Sequence, residues 1–485
     1  MDQVRTSNST YFYPRPRDAS LLPLARTNQV KPPAEALSKL SKPILRPFKD
    51  IIPDARLDCW TRSIHVYPAA YPRSISGSSV HEAVLPKCPP SRRPDELATD
   101  IKSQNLTAQR RFESSQVDEP QLFIAVARYF VNSELEESHS APANDDEPIT
   151  LILIHPNGLH KETYEPMLAY LLVSPAGNKI REVWAVDGAQ YGDSAMLNRP
   201  NLGLTVDGAD YARDVLNLIL FYLPDGNSCR SARIPLVLPR LECPGGSFFL
   251  LDKSIPAAGH SKPVRWRNRI LTLSGHSMGG TVAALAATSI PELFHHVTLV
   301  DPVLSPIEDF CILHLSHYAV AAICRRDQWE SSEAALENFR QRREQFGAWD
   351  PAALRRYVRD ALESSQPTKL KCHKLHEASA AMDAQNRVSE SYHRLCNCYH
   401  NGHQPPFNLC LILANPSQST CPKRFVEQNP LIPRDKVSVR CEHLGHLMVQ
   451  ENPRQVASLI SESLLKPIKP QLRSRGNFEH HTAKL

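Results

Sequence analysis

The apolar residues of this chain gather in short continuous runs that alternate with longer stretches of helical period. Thr150–Ile154, Val183–Val186, Ile270–Leu273 and Val297–Val300 are such runs. Unbroken hydrophobicity over so few residues predicts strands buried on both faces. Between the runs, Tyr164–Leu172 reads as a helix, Gly188–Ser194 as a turn after Val183–Val186, and Asp207–Leu223 is amphipathic through Val215, Leu216, Ile219, Leu220 and Leu223. Residues 306–400 are helical in pattern, best over Glu333–Phe346 and Pro351–Leu362, and strand signals return only at Asn408–Leu413 and Val437–Arg440. Strands alternating with helices predict an α/β fold with a mostly parallel central sheet covered on both faces. The helical excursion between late strands predicts a cap over the strand ends.

Two earlier strands are expected at Trp60–Pro68 and Leu122–Phe130, separated by a Pro-, Ser- and Arg-rich loop over about 70–120. Clusters of Pro, Gly and Ser mark 225–268 as an insertion loop, in which Ser247–Leu251 has strand character without an assignment. The expected organisation is an extension over 1–55, a first core part over 56–305, the cap over 306–400, a second core part over 401–467, and an exposed tail over 468–485.

Charge and cysteine content narrow the function. Of the net charge of +5, residues 1–50 carry all, with nine Lys/Arg against four Asp/Glu. That segment is rich in Pro and Ser and lacks periodicity, so it reads as a disordered basic extension, and no nucleic-acid-binding face is expected on the balanced remainder. Val215–Leu223 and Tyr318–Cys324, the longest apolar runs, fall short of the ~20 residues of a transmembrane helix. Met1–Ser20 lacks the apolar core of an export signal. The 12 cysteines are scattered, with Cys396 and Cys398 the only close pair, so neither a disulfide framework nor a metal site is expected. Ala483-Lys484-Leu485 at the end of a polar tail is a small-basic-leucine address of the S-K-L type. It predicts an import receptor as partner and the peroxisome as location.

The chemistry lies in Gly275-His276-Ser277-Met278-Gly279-Gly280, after an apolar strand and before Thr281–Ala286. Strand, tight turn and helix in that order form a nucleophile elbow that exposes a serine at the top of a sheet. A serine hydroxyl needs an imidazole base, and the imidazole needs a carboxylate that fixes its tautomer. His446 follows Gly445 in the loop after the last strand, placed to reach back to Ser277, with His443 as a substitute. The loop after Leu409–Leu413 reads Ala414-Asn415-Pro416-Ser417-Gln418-Ser419 and holds no carboxylate. Asp301, which closes the strand after the elbow helix, is therefore the chosen acid, with Glu427 and Glu308 as other candidates. The oxyanion donors are expected to be the N–H groups of Met278 and Leu159, with Gly158 allowing close backbone approach. His155 is expected to support that loop. No cofactor is called for.

These residues resemble the α/β-hydrolase superfamily. More narrowly, the chain is similar to fungal peroxisomal hydrolases, the yeast peroxisomal lipase and hydrolases of host-selective toxin clusters among them. The resemblance rests on His155–Glu162 with Tyr164-Glu165-Pro166, Gly192–Asn198, the elbow, Arg325–Trp329, and Gly445-His446 with Glu451 and Pro453. It implies Ser277 as nucleophile and His446 as base. It also implies a role in making decatrienoic-acid-type moieties of fungal toxins. The reaction expected is hydrolysis of a small-molecule acyl ester or thioester through an acyl-serine. The alternatives are acyl transfer from the same intermediate, or a catalytically silent fold that binds partners. Arg325 and Arg326 are candidates for acyl-CoA phosphates, or for pairing with Asp327. The cap aromatics Trp329, Phe339, Phe346 and Trp349 are candidates for an acyl pocket, or for holding the cap together.

Overall fold

The structure is a computed structural model and describes residues 21, 24, 31–38, 40, 44–45, 48, 51–87, 91–111, 118–131, 148–224, 234–241, 269–306, 308–399, 404–420, 437–441 and 443–467. Most of the basic extension and of the 225–268 insertion lie outside them, as do Ser247–Leu251, Glu427, and Ala483, Lys484 and Leu485.

The strands are β1 (Ile44–Leu45), β2 (Trp60–Pro68), β3 (Phe123–Val131), β4 (Ile149–Ile154), β5 (Ile180–Val186), β6 (Ile270–His276), β7 (His296–Val300), β8 (Gln328–Trp329), β9 (Thr368–Lys369), β10 (Asn408–Leu413) and β11 (Val437–Arg440). Nine of them form one sheet in the order β1-β2-β3-β5-β4-β6-β7-β10-β11. From β5 to β11 the strands run parallel, while β1, β2 and β3 add an antiparallel edge. The chain first winds outward from β4 to β5, then returns to lay β6 on the other flank of β4. The crevice for a ligand in such a sheet lies where the winding reverses, beyond the carboxyl ends of β4 and β6.

Both faces of the sheet are buried, which is why its central strands lack polar alternation. Ile152 and Ile154 of β4 pack into one core with Leu271, Leu273 and the elbow-helix residues Val282 and Leu285. Leu151 and Leu153 point the other way, into a core with Met167 and Leu168 of the helix Glu165–Leu172 and Val456 and Ile460 of the terminal helix Pro453–Leu464. Between β7 and β10 lie the helices Glu308–Cys324, Ser332–Gln341, Arg343–Phe346, Pro351–Ala361, Lys374–Ala381 and Arg387–Asn397, with the β8–β9 pair among them. Among the described residues, no helix is long and apolar enough to cross a membrane, and no cluster of His, Cys, Asp and Glu is placed to hold a metal ion.

Four local readings are corrected. The expected loop over 70–120 contains the helix Pro94–Thr107, which starts on a proline and two acidic residues. Its single apolar face, Leu97, Ala98 and Ile101, packs on Ala319, Ala322 and Leu375 of the cap; three apolar positions amid Pro, Ser and Arg are too few to announce it. The segment Glu333–Phe346 is broken at Arg342, whose φ of −84° and ψ of 65° leave the helix. The turn read at Gly188–Ser194 ends in a helix, Gly192–Asn198, because Ala195 and Leu197 are buried. The helix Asp207–Leu223 is α-helical over Gly208–Asn217 and widens into a π-helical turn at Leu218–Tyr222.

Candidate active site

β6 runs to His276, and Ser277 then takes a φ of 57° and a ψ of −125° before the helix Met278–Ser289 begins. This conformation is unfavourable for a side-chain-bearing residue, so the surroundings must enforce it. The Ser277 N–H donates to the Val300 carbonyl at 3.0 Å, and the Gly280 N–H donates to the Ser277 carbonyl at 2.8 Å. The flanking glycines are demanded by contact. A Cβ on Gly275 would lie 2.1 Å from the Gly279 carbonyl oxygen, and one on Gly279 would lie 2.2 Å from that of Ile154.

His446 stands in the loop between β11 and the terminal helices. The Gly445 N–H donates to Glu451 at 2.6 Å, and His276 donates from Nε2 to the His446 carbonyl at 2.8 Å. Burial, reinforced by the neighbouring His446, pushes the His276 pKa down to about 3, so His276 is a neutral donor. The His446 ring is thereby presented edge-on to both partners. Its Nε2 is 2.8 Å from Ser277 Oγ and its Nδ1 is 2.6 Å from Asp301 Oδ2. A carboxylate there only accepts, so Nδ1 carries the proton and Nε2 is free to receive one from the serine.

Asp301 is fully buried with a φ of 35°, immediately after β7. Its carboxylate accepts from the Ala414 N–H at 3.0 Å, the Ser419 hydroxyl and the Thr420 N–H at 3.2 Å, in addition to His446. Burial opposes its ionisation, yet the hydrogen bonds from His446, Ser419 and Ala414 outweigh burial and hold its pKa below the usual carboxylate value. The polar loop after β10 thus lacks a carboxylate because it supplies donors to one on the neighbouring strand. His443 is exposed and bonds Gln455 at 2.8 Å, away from Ser277. Glu308 opens a cap helix, and its side chain lies outside the described set.

The opposite wall is the turn after β4. His155 donates from Nδ1 to the Pro156 carbonyl at 2.8 Å and accepts from the Gly188 N–H at 3.3 Å; burial lowers its pKa to about 3, so it is a neutral brace. Gly158 has a φ of 76°, and the Leu159 N–H points back to the Pro156 carbonyl at 3.3 Å. Met278 is the first residue of its helix, so its N–H has no intrahelical acceptor.

The cap grips this turn. Glu377 lies so close that a Cβ on Gly158 would meet its Oε1 at 2.7 Å, and Asn157 donates to the Glu377 carbonyl at 3.3 Å. Glu377 pairs with Arg325, which settles that arginine's partner. Leu159 is buried among Trp329, Phe339, Trp349 and Tyr357, so the cap aromatics hold one another and the turn. Just beyond, the buried Lys161 ammonium is 2.8 Å from both Asp187 and Asp193, and Lys371 of the cap is 2.7 Å from Asp193.

Ser277, His446 and Asp301 are thus brought into one hydrogen-bonded line, with Met278 next in the chain after Ser277 and with Gly158 and Leu159 in the turn that follows β4, the strand paired with β6. The sequence reading missed Ser419, Thr420, His276, Glu377 and Glu451 as supports. The signal for Ser419 and Thr420 was present: small hydroxyl residues at the end of a strand whose neighbour ends in a bare aspartate.

The alpha/beta hydrolase family model matches residues 151–459, more than half of the chain. A type I acyl-CoA thioesterase, mpaH', of Penicillium brevicompactum is 30% identical over 220 residues, 44% of this chain and 40% of that protein. The peroxisomal membrane protein LPX1 of Saccharomyces cerevisiae is 30% identical over 158 residues, 32% of this chain and 31% of that protein. The match therefore spans well under half the length of these curated relatives. Among solved structures, the peroxisomal alpha-beta-hydrolase Lpx1 of Saccharomyces cerevisiae superposes over 84% of this chain and 88% of its own, with a TM-score of 0.53 and 17% identity. Family match, sheet order and elbow together place this chain in the alpha/beta hydrolase family.

Proposed function

We propose that this protein hydrolyses an ester or thioester of an acyl chain through an acyl-Ser277 intermediate. The observation that carries the reading is the line Ser277–His446–Asp301, with hydrogen bonds of 2.8 and 2.6 Å. His446 takes the serine proton as Oγ attacks the acyl carbon, and Asp301 stabilises the imidazolium that forms. The charge that develops on the acyl oxygen is met by the Met278 N–H at the positive end of its helix and by the Leu159 N–H once that group turns from Pro156 to the substrate. His446 then passes its proton to the leaving alkoxide or thiolate. Water enters by the same base and frees the acid.

The relatives named as acyl-CoA thioesterases support a thioester, and the match to yeast LPX1 supports the peroxisome. The motif resemblance to hydrolases of toxin clusters supports, as the finer part of the proposal, a place in the peroxisomal biosynthesis of a fungal secondary metabolite such as a toxin with a decatrienoic-acid-type moiety. The silent-fold alternative rested on the missing carboxylate after β10, and Asp301 at 2.6 Å from His446 argues for the enzyme instead. Acyl transfer to an alcohol or amine shares every step to the acyl-serine and differs only in the acceptor.

A fluorophosphonate probe tests the reading. Stoichiometric labelling by intact mass, lost in Ser277→Ala and restored by no other serine, is expected; a folded wild-type protein that stays unlabelled overturns it.

A further inference from the structure

His160 follows Leu159 directly, as the last residue before the 3-10 turn Lys161–Tyr164, and it is buried. Its Nδ1 lies 2.9 Å from a Glu162 carboxylate oxygen, and its Nε2 lies 3.1 Å from the backbone carbonyl of Tyr357 in the cap helix Pro351–Ala361. Burial opposes the ionisation of Glu162, yet the Lys161 charge and the bond from His160 outweigh it and hold its pKa well below the usual carboxylate value. Both neighbours of the imidazole therefore only accept. A neutral imidazole has one N–H and one bare nitrogen, so it could satisfy one of them and would set a lone pair against the other. The two bonds together require an imidazolium. The ring also stacks on that of Tyr357, with centroids 5.8 Å apart and planes 13° apart, an arrangement that suits a cation over an aromatic face.

The surrounding ions count the same way. Lys161 is 2.9 Å from Glu162 and 2.8 Å from both Asp187 and Asp193, and Lys371 of the cap is 2.7 Å from Asp193. Two ammonium groups thus face three carboxylates, and a protonated His160 makes the count even. The adjoining ions balance without it: Arg62 and Arg356 share Glu165, Asp360 stands 3.9 Å from Arg356, and Arg325 pairs with Glu377. His155, the other imidazole beside this set, is neutral. A buried carboxylate left without a counter-charge would be strongly destabilising.

We propose that His160 is a buried imidazolium that fastens the Leu159 turn to the cap, a positioning residue that sets where the Leu159 N–H lies as charge develops on the acyl oxygen. The proposal rests on the acyl-serine reading above and names what holds the oxyanion side of that site. The Nδ1 proton anchors the ring to the core through Glu162, and the Nε2 proton carries the cap helix. Loss of either proton breaks one of the two bonds and leaves the carboxylates in excess.

Two measurements on the full chain test it. In protein carrying 15N-histidine at pH 7.5, about one unit above the ordinary imidazole value, the His160 ring is identified as the resonance missing from His160→Gln. It is expected to show N–H groups at both nitrogens; one bare nitrogen would overturn the proposal. With the decanoyl N-acetylcysteamine thioester, His160→Gln should lower kcat about tenfold and leave KM within about twofold. Binding of a decanoyl trifluoromethyl ketone, which adds to Ser277 and places its oxyanion on the same donors, should weaken about tenfold as well. An unchanged kcat in the folded variant, or equal weakening of substrate and ketone, would overturn the positioning role. If His160→Gln fails to fold, Glu162→Gln takes its place: it evens the charge count without the imidazolium, so one histidine ring should turn neutral and the same split of kcat from KM should appear. No histidine changing state there would overturn the proposal. Wild type that stays unlabelled by the fluorophosphonate would instead strike the acyl-serine reading, and the positioning role with it.

Discussion

On one side of Ser277 stands His446, held by the ends of β7 and β10; on the other stands the turn Pro156–Leu159, held by the cap. The base side is tied to sheet strands whose register is fixed: the Asp301 N–H donates to the Ile412 carbonyl at 2.7 Å, and the Asn415 N–H to the Leu444 carbonyl at 2.9 Å. The oxyanion side is tied to helices by Glu377, by His160 bonding the Tyr357 carbonyl at 3.1 Å, and by Lys371 on Asp193. The difference teaches where each function is stored. The Ser277–His446–Asp301 line is already hydrogen-bonded, whereas the N–H of Leu159, proposed above as an oxyanion donor, bonds its own turn, which packs on the cap.

The largest effect should come from the base side. Asp301→Asn keeps the size of the side chain but presents an amide that can hold the wrong His446 tautomer, and kcat is expected to fall about 10⁴-fold. Steady-state turnover of the best ester, with fluorophosphonate labelling followed over time, measures it. A fall of less than about tenfold would remove Asp301 from the triad.

A smaller loss is expected from the oxyanion side. In Gly158→Ala the new Cβ meets Glu377 and the residue must hold a φ of 76°, so the turn shifts and kcat should fall about 10²-fold with KM less affected. Adding Glu377→Ala removes the clash and leaves the strain, so part of the activity should return. Full recovery would place the whole effect in the cap contact; no recovery would place it in the turn and break the comparison.

Smaller again is the effect of the cap tether. Lys371→Met takes one ammonium from Asp193 but leaves Lys161 at 2.8 Å, so Asp193 stays paired. A severalfold drop in kcat is expected in a variant whose circular dichroism spectrum matches that of wild type; loss of folding, seen by circular dichroism, would instead make the cluster purely structural.

How much of this was legible in the sequence differs between the two sides in the same way. Strand runs, elbow and the His446 loop are local patterns, set by hydrophobic period and by glycines that a close contact demands at Gly275 and Gly279. Ser277, His446 and Asp301 could therefore be picked out before their distances were known. The cap contacts were not legible, because Glu377 meets Gly158 across 219 positions of chain and neither residue carries a local sign of the other. Pro94–Thr107 was hidden for the same reason: its apolar face is three residues that make sense only against the cap.

The smallest effect belongs to Ser419, whose hydroxyl donates to the buried Asp301 carboxylate. A hydrogen bond to a charged group contributes about 1.5–3 kcal/mol, and the remaining donors from Ala414, Thr420 and His446 cushion its loss. Ser419→Ala should thus lower kcat about three- to tenfold and lower the melting temperature by a few degrees. The sign of the pH dependence follows from Asp301, whose pKa in the folded protein lies below its ordinary value. Its stabilising contribution is complete above the ordinary aspartate range and is lost as pH falls through the folded value. The difference in stability between wild type and Ser419→Ala should accordingly be full at neutral pH and shrink in acid below about pH 4. Urea titrations across that range measure it, and a difference that grows on acidification would mean that Ser419 serves some group other than the Asp301 carboxylate.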